Sequence, residues 1–137
     1  MKTILVDAIY GFVLVKKNEL TGKDEYSVFK EMQELLEKYP NKKIILTGAG
    51  DEQMVKFGLN GMPYPVFTLK HNPEKTDPEY FRIFLKEYNL KAEDVIYFEH
   101  RSEATKSAES VGIKTYFYNQ ETKDLESLKK FLDDNLN

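Results

Sequence analysis

Reactive side chains in this sequence sit where apolar runs stop. Asp7 closes the run Thr3–Val6, Thr47 closes Ile44–Leu46, and the pair Glu99-His100 closes Val95–Phe98. A carboxylate in the place of Asp7 can split a displacement into two steps as a covalent nucleophile, or it can merely cap a loop. Thr47 can be a strand-end threonine in a turn, or the first residue of a ligand loop. The stretch Thr47-Gly48-Ala49-Gly50 touches on a dinucleotide fingerprint. The third glycine position is Gln53, however, and Asp51-Glu52 would repel a pyrophosphate. His100 suits a softer metal such as zinc or manganese, and a lone strand-end histidine also serves structural roles. His71, the other histidine, lies in a polar loop, so no His-rich cluster forms. The absence of cysteine excludes disulfides, thiolate nucleophiles and sulfur-based zinc sites.

The elements that must position these groups follow from hydrophobic period. Thr3–Val6, Ile44–Leu46, Pro65–Thr68, Val95–Phe98 and Lys114–Tyr118 read as short strands, the continuous apolar ones buried on both faces. Phe12–Val15 is a further extended piece, and polar Lys16–Glu25 with Gly22 predicts a small flap. Phe29, Met32, Leu35, Leu36 and Tyr39 recur at helical spacing, predicting a helix over Ser27–Tyr39 that Pro40 and Asn41 end. A short helix is expected over Glu52–Phe57. Asp77-Pro78 is a capped helix start, followed by a face of Phe81, Phe84, Leu85 and Tyr88. Ala104, Ala108 and Val111 mark another helix, which Gly112 stops in a left-handed conformation. Leu125, Leu128, Phe131 and Leu132 give a last amphipathic helix. Strands alternating with helices imply parallel pairing and right-handed crossovers. The fold class is α/β: a doubly wound, mostly parallel five-stranded sheet with helices on both faces. Such sheets bind ligands outside the carboxyl ends of their strands, where Asp7–Gly11, Thr47–Gly50 and Glu99–Arg101 fall.

Length and charge set outer limits. The 137 residues fit one domain, 1–137, and a hydrophobic share of 41% is that of a globular core. The formal charge of −3 comes from well-mixed acids and bases without a basic stripe, which argues against nucleic acid as a partner. The run Ile4–Val15 is too short for a membrane span, which needs about 20 apolar residues, and contains Asp7. A soluble, cytoplasmic protein with no membrane partner is expected.

The strand ending in Asp7, the strand ending in Thr47, the helix start Lys75-Thr76-Asp77-Pro78-Glu79 and the strand ending in Phe98-Glu99-His100 together resemble the four motifs of the haloacid dehalogenase-like (HAD) hydrolases. The resemblance runs from Thr3 to about Phe117 and is most specific in Lys75–Phe81 and Val95–Thr115. It implies a Rossmann-like core with a small β-flap after the first strand. Only short segments separate the flap, Thr47 and Lys75, so no cap domain is expected. It also implies that Asp7 attacks phosphorus to form an aspartyl-phosphate. Thr47 and the backbone of Gly48 would then hold the phosphoryl group, and Lys75 would offset its charge. Lys70 competes for that last task, and the Asp77-Pro78 register selects Lys75. By the same resemblance a divalent metal, Mg²⁺, would be held by Asp7 with Glu99 or His100.

Two motif positions depart from the family pattern. The general acid expected two residues after Asp7 is Ile9, and losing such an acid costs about 10²–10⁴ in rate. The acidic pair expected at the fourth motif is Glu99-His100, an imidazole where magnesium prefers a hard oxygen, so Mn²⁺ or Zn²⁺ become alternatives. The resemblance therefore implies a phosphoester hydrolase or phosphotransferase with weak or lost activity, acting on a small phosphorylated molecule or a phosphorylated macromolecule. Two other readings stand beside it: a non-catalytic phosphate-binding or protein-interaction domain on the same fold, and a metal-independent dehalogenase, which accounts for Ile9. A receiver domain is ruled out because Thr68-Leu69-Lys70 offers no phosphoacceptor aspartate. The aromatics Tyr10, Phe12, Tyr64 and Phe67 either border the opening or pack the core.

Overall fold

The computed structural model describes residues 1–136. In chain order it contains β1 (Thr3–Asp7), β2 (Val13–Lys17), β3 (Asp24–Val28), α1 (Lys30–Glu37), β4 (Lys43–Thr47), α2 (Asp51–Lys56) and β5 (Val66–Thr68). It continues with α3 (Pro78–Glu87), β6 (Val95–Glu99), α4 (Ser102–Ser110), β7 (Lys114–Phe117) and α5 (Leu125–Leu136). Five strands form a parallel sheet in the order β5-β4-β1-β6-β7. The α/β doubly wound architecture expected from the sequence is the one observed.

β1, β4 and β6 are buried along their whole lengths, which is why their sequences read as unbroken apolar runs. Alternate side chains feed two cores. Ile4, Val6, Ile45, Ile96 and Phe98 pack with Met32 and Leu36 of α1 and with Leu128 and Leu132 of α5. Leu5, Ile44, Leu46 and Tyr97 pack with Tyr80, Phe81 and Phe84 of α3 and with Ala108 of α4. Burying a Phe or Leu side chain is worth about 1.5–3 kcal/mol, so the paired helix layers fix the sheet from both sides.

Local signals act as the chemistry requires. The Asp77 side chain accepts a hydrogen bond from Glu79 N–H at 2.9 Å, and Pro78 opens α3. Gly112, at φ +93°, ends α4 in the left-handed region. One boundary departs from expectation. Ser27 and Val28 belong to β3, not to a helix, and α1 begins at Lys30. They pair antiparallel with Leu14 and Val13, and this cross-strand pairing outweighs the helical period that begins just after them. The β2–β3 hairpin is the flap, and the ring centroid of its Tyr26 lies 4.6 Å from that of Phe57. Between β1 and β4 the chain holds this hairpin and α1; between β4 and β5 it holds α2 and one 3₁₀ turn, Leu59–Gly61. No helix among the described residues is long and apolar enough to cross a membrane.

Candidate functional site at the carboxyl ends of the central strands

The ends of β1, β4 and β6 meet at a cavity of about 140 Å³ lined by Asp7, Ile9, Thr47, Gly48, Ala49, Gln53, Phe57, His71, Glu74, Lys75, His100 and Arg101. β1 is flanked by β4 and β6, so Asp7 and Thr47, which end β1 and β4, and His100, which follows β6, open onto one space. Every residue that the sequence singled out for phosphoryl binding or catalysis lines it.

Beneath the cavity lies a buried four-residue charge cluster. Lys75 Nζ donates to Asp7 Oδ1 at 2.9 Å and to Glu99 Oε1 at 2.7 Å. The main-chain N–H of His100 donates to Asp7 Oδ2 at 3.0 Å, and the ring Nδ1 makes a short contact with the same oxygen. Nδ1 also lies 3.2 Å from Glu99 Oε2, which accepts the Arg101 N–H at 3.0 Å. The Tyr97 hydroxyl donates a short bond to Glu99 Oε1. Asp7 is 1% exposed and Glu99 fully buried, so these charges rest on one another rather than on water.

The electrostatics follow from burial and proximity. Burial and then Glu99 push the Asp7 carboxyl up, against the pull of Lys75 and His100. Glu99 would also be raised by burial, but Lys75 reverses this and holds it below the carboxylate range. Burial disfavours charge on Lys75, yet Asp7 and Glu99 more than offset it and keep the ammonium protonated. His100 follows the same logic: burial lowers it, while bonds to Asp7 and Glu99 carry it up to about 9. Near neutral pH the cluster holds two cations and, in its ionised form, two carboxylates.

The rest of the cavity wall is set by backbone. Thr47 is held by Tyr80, whose hydroxyl donates to the Thr47 carbonyl at 2.7 Å, and Thr47 Oγ1 accepts the Ala49 N–H at 3.2 Å. A side chain on Gly48 would meet Glu74 Oε2 at 3.2 Å. On the rim, His71 bonds Glu74 through Nδ1 at 2.8 Å and Gln53 through Nε2. The competing Lys70 is turned away to the surface, 3.1 Å from Asp51. Among the aromatics, Phe12 and Phe67 are core residues, the Tyr64 hydroxyl bonds Glu37, and the Tyr10 ring lies against His100 at 5.5 Å.

Tyr97, Tyr80 and Glu74 were not singled out in the sequence, and His71 and Gln53 were not read as parts of one rim. Tyr97 stands two residues before Glu99, on the same side of β6. The rim joins His71 and Glu74, three residues apart in one loop, to Gln53 of α2.

Asp7, Glu99 and His100 each place one ligand atom within 4.8 Å of the others, a cluster of the kind that can hold a metal. Magnesium requires near-octahedral oxygen ligands at about 2.0–2.1 Å. Here Asp7 Oδ2 and both Glu99 oxygens already accept protein N–H or O–H donors, and the ring nitrogen is turned onto the carboxylates. This donor set does not fit magnesium.

No family model and no curated protein matches the sequence. Solved structures match its shape. A HAD family enzyme from Bacteroides thetaiotaomicron, an aspartate-to-alanine variant in complex with magnesium and inorganic phosphate, superposes with a TM-score of 0.66 at 12% identity, over 85% of this chain and 93% of that one. An uncharacterized protein of Corynebacterium glutamicum gives 0.61 at 14% identity, over 97% and 96%. The core domain of a proposed phosphoglycolate phosphatase from Streptococcus pneumoniae gives 0.58 at 15% identity, over 96% and 95%. At these identities the likeness is one of fold: the chain has the HAD-like α/β architecture.

Proposed function

We propose that this HAD-like chain is a slow phosphoester hydrolase in which Asp7 is the nucleophile. The observation that carries the reading is the buried Asp7–Lys75 pair, with Nζ 2.9 Å from Oδ1, at the end of the central strand and on the wall of the cavity. The fold shared with a phosphate-binding HAD enzyme supports it.

A phosphoryl group in the cavity would meet the Thr47 hydroxyl and the Gly48 backbone on one side and Lys75 on the other. An Asp7 oxygen forms a bond to phosphorus as the bond to the leaving alkoxide breaks. The alkoxide takes its proton from water, because Ile9, which lines the same cavity, carries none. Water then cleaves the acyl-phosphate, releasing phosphate and restoring the Asp7 carboxylate. Lys75 supplies fixed positive charge at the oxygens where negative charge gathers. The missing acid sets the pace. The substrate is a small phosphorylated molecule or an exposed phosphoryl group on a macromolecule.

The test is hydrolysis across a phosphoester panel with EDTA, Mg²⁺, Mn²⁺ and Zn²⁺ in separate arms, run beside Asp7→Asn. Turnover that Asp7→Asn abolishes supports the aspartate nucleophile. A second reading, a phosphate-binding domain without turnover, is favoured by one feature: both Asp7 oxygens already accept protein donors. Phosphate binding with no hydrolysis above the Asp7→Asn background would select it.

A further inference from the structure

The two carboxylates at the cavity floor have their lone pairs filled in a particular way. Lys75 bridges Asp7 Oδ1 and Glu99 Oε1 from one side. His100 bridges Asp7 Oδ2 and Glu99 Oε2 from the other. A protein N–H therefore reaches every carboxylate oxygen that faces the second residue of the pair. A divalent cation bound between Asp7 and Glu99 would need the same oxygens.

We infer that His100 occupies the place of a divalent cation, so that this site binds a phosphoryl group without metal. The inference rests on the phosphoryl-site reading above and goes beyond it by replacing the ion with a side chain.

Packing argues that the ring stays where it is. Its main-chain N–H is committed to Asp7 at 3.0 Å, the side chain is only 17% exposed, and the Tyr10 ring stands against it at 5.5 Å. For a metal to enter, the imidazole must swing out past Tyr10. That would break both ring contacts and uncover two buried carboxylates, a loss costing several kcal/mol before the ion gains anything. Magnesium also sheds its water reluctantly, and one imidazole with two shared carboxylates offers it little in return. For the anion the outcome is favourable. Lys75, His100 and Arg101 line the cavity beside Asp7 and Glu74, so three basic side chains face a phosphoryl group against two carboxylates.

The decisive measurement is the binding of inorganic phosphate to the intact chain, followed by ³¹P NMR titration in EDTA and again in excess Mg²⁺. It is paired with Mn²⁺ binding read by electron paramagnetic resonance. The wild-type chain is expected to bind phosphate equally in both buffers and to leave Mn²⁺ free in solution. His100→Asp, which restores an acidic pair, is expected to bind Mn²⁺ and to show phosphate binding that Mg²⁺ strengthens about 5–150-fold, the usual range of coupling between two ligands. Wild-type phosphate binding that EDTA abolishes and Mg²⁺ restores, or stoichiometric Mn²⁺ binding by the wild type, would overturn the inference and leave the phosphoryl-site reading standing. No phosphate binding in either buffer would overturn both. The wild-type arms decide the matter even if His100→Asp fails to fold.

Discussion

Gly11 lies so close to Asp7 that a Cβ on it would stand 2.5 Å from the Asp7 carbonyl oxygen and 3.0 Å from the Asp7 Cβ. The chain folds back on itself here: that carbonyl accepts the Phe12 N–H at 2.9 Å, and Gly11 N–H reaches the Ala8 carbonyl at 3.2 Å. The contact is with backbone, which cannot rotate aside, so even one methyl group must displace the end of β1. Gly11→Ala is expected to cost about 1–3 kcal/mol, the range for overpacking, and to weaken phosphate binding together with stability. Urea denaturation and a phosphate titration on the same variant check this; a variant unchanged in both would show that the turn has more room than its geometry allows.

Lys75 holds two buried carboxylates, so its removal should cost far more than a surface ion pair. Lys75→Met leaves Asp7 and Glu99 sharing only the partly exposed His100 imidazole, and breaking a buried pair in this way costs about 3–5 kcal/mol. Adding Glu99→Gln should return part of that loss, because one of the uncompensated charges is gone. Denaturation midpoints of the single and double variants measure the coupling, and strict additivity would mean that the three groups do not act as a unit.

His100 gives the protein an alkaline limit. Its folded pKa, about 9, lies above the ordinary 6.5, so the folded state binds the proton more tightly than the unfolded chain does. The stabilisation is therefore complete below about 6.5 and is lost as pH rises through about 9. Denaturation midpoints measured from pH 6 to pH 10 should fall across that upper window, and His100→Gln should flatten the fall. A midpoint that does not change in the wild type would mean that the imidazole is neutral in the cluster.

Ile9 lines the cavity beside Asp7 and is the residue on which slow turnover is blamed. Ile9→Asp places a carboxyl group on the cavity wall and is expected to raise phosphoester turnover by about 10²–10⁴, the usual contribution of a general acid. Steady-state rates on substrates with good and poor leaving groups separate the cases. The gain should be large for alkyl phosphates and small for nitrophenyl phosphate, whose leaving group needs no proton. An equal gain on both would remove Ile9 as the cause.

Much of this arrangement could be read from residues alone, and the parts that could not share a physical reason. β1 and β6 announced themselves as unbroken apolar runs because both faces of those strands are covered by helices. Asp77-Pro78 located α3 and, through it, favoured Lys75 over Lys70, which the structure places at the surface with Asp51. The same double-sided burial hid Tyr97: with no polar face, β6 shows no alternation, and nothing marked Tyr97 as standing on the side of Glu99. β3 was obscured differently. Asp24, Glu25 and Ser27 are solvent-facing in a two-stranded ribbon, and Ser27-Val28 runs straight into the helical spacing of α1. The bridging of Asp7 and Glu99 by Lys75 and His100 depends on side-chain reach between the ends of β1 and β6 and the loop that carries Lys75, which no local pattern encodes.

The position of β1 in the middle of the sheet bears on how the protein is made. Its partners are Lys43–Leu46 on one side and Val95–Phe98 on the other, so the central strand leaves the ribosome well before either flank. Until Val95–Phe98 has been synthesised, one edge of β1 has no strand to pair with, and Asp7 and Lys75 have neither Glu99 nor His100. Exposed strand edges invite pairing with other chains, and sheets built from distant segments fold slowly. Translation that stalls before Val95 would therefore yield a nascent chain both sticky and chemically incomplete, and the segment Val95–His100 that covers the open edge of β1 also finishes the charge cluster.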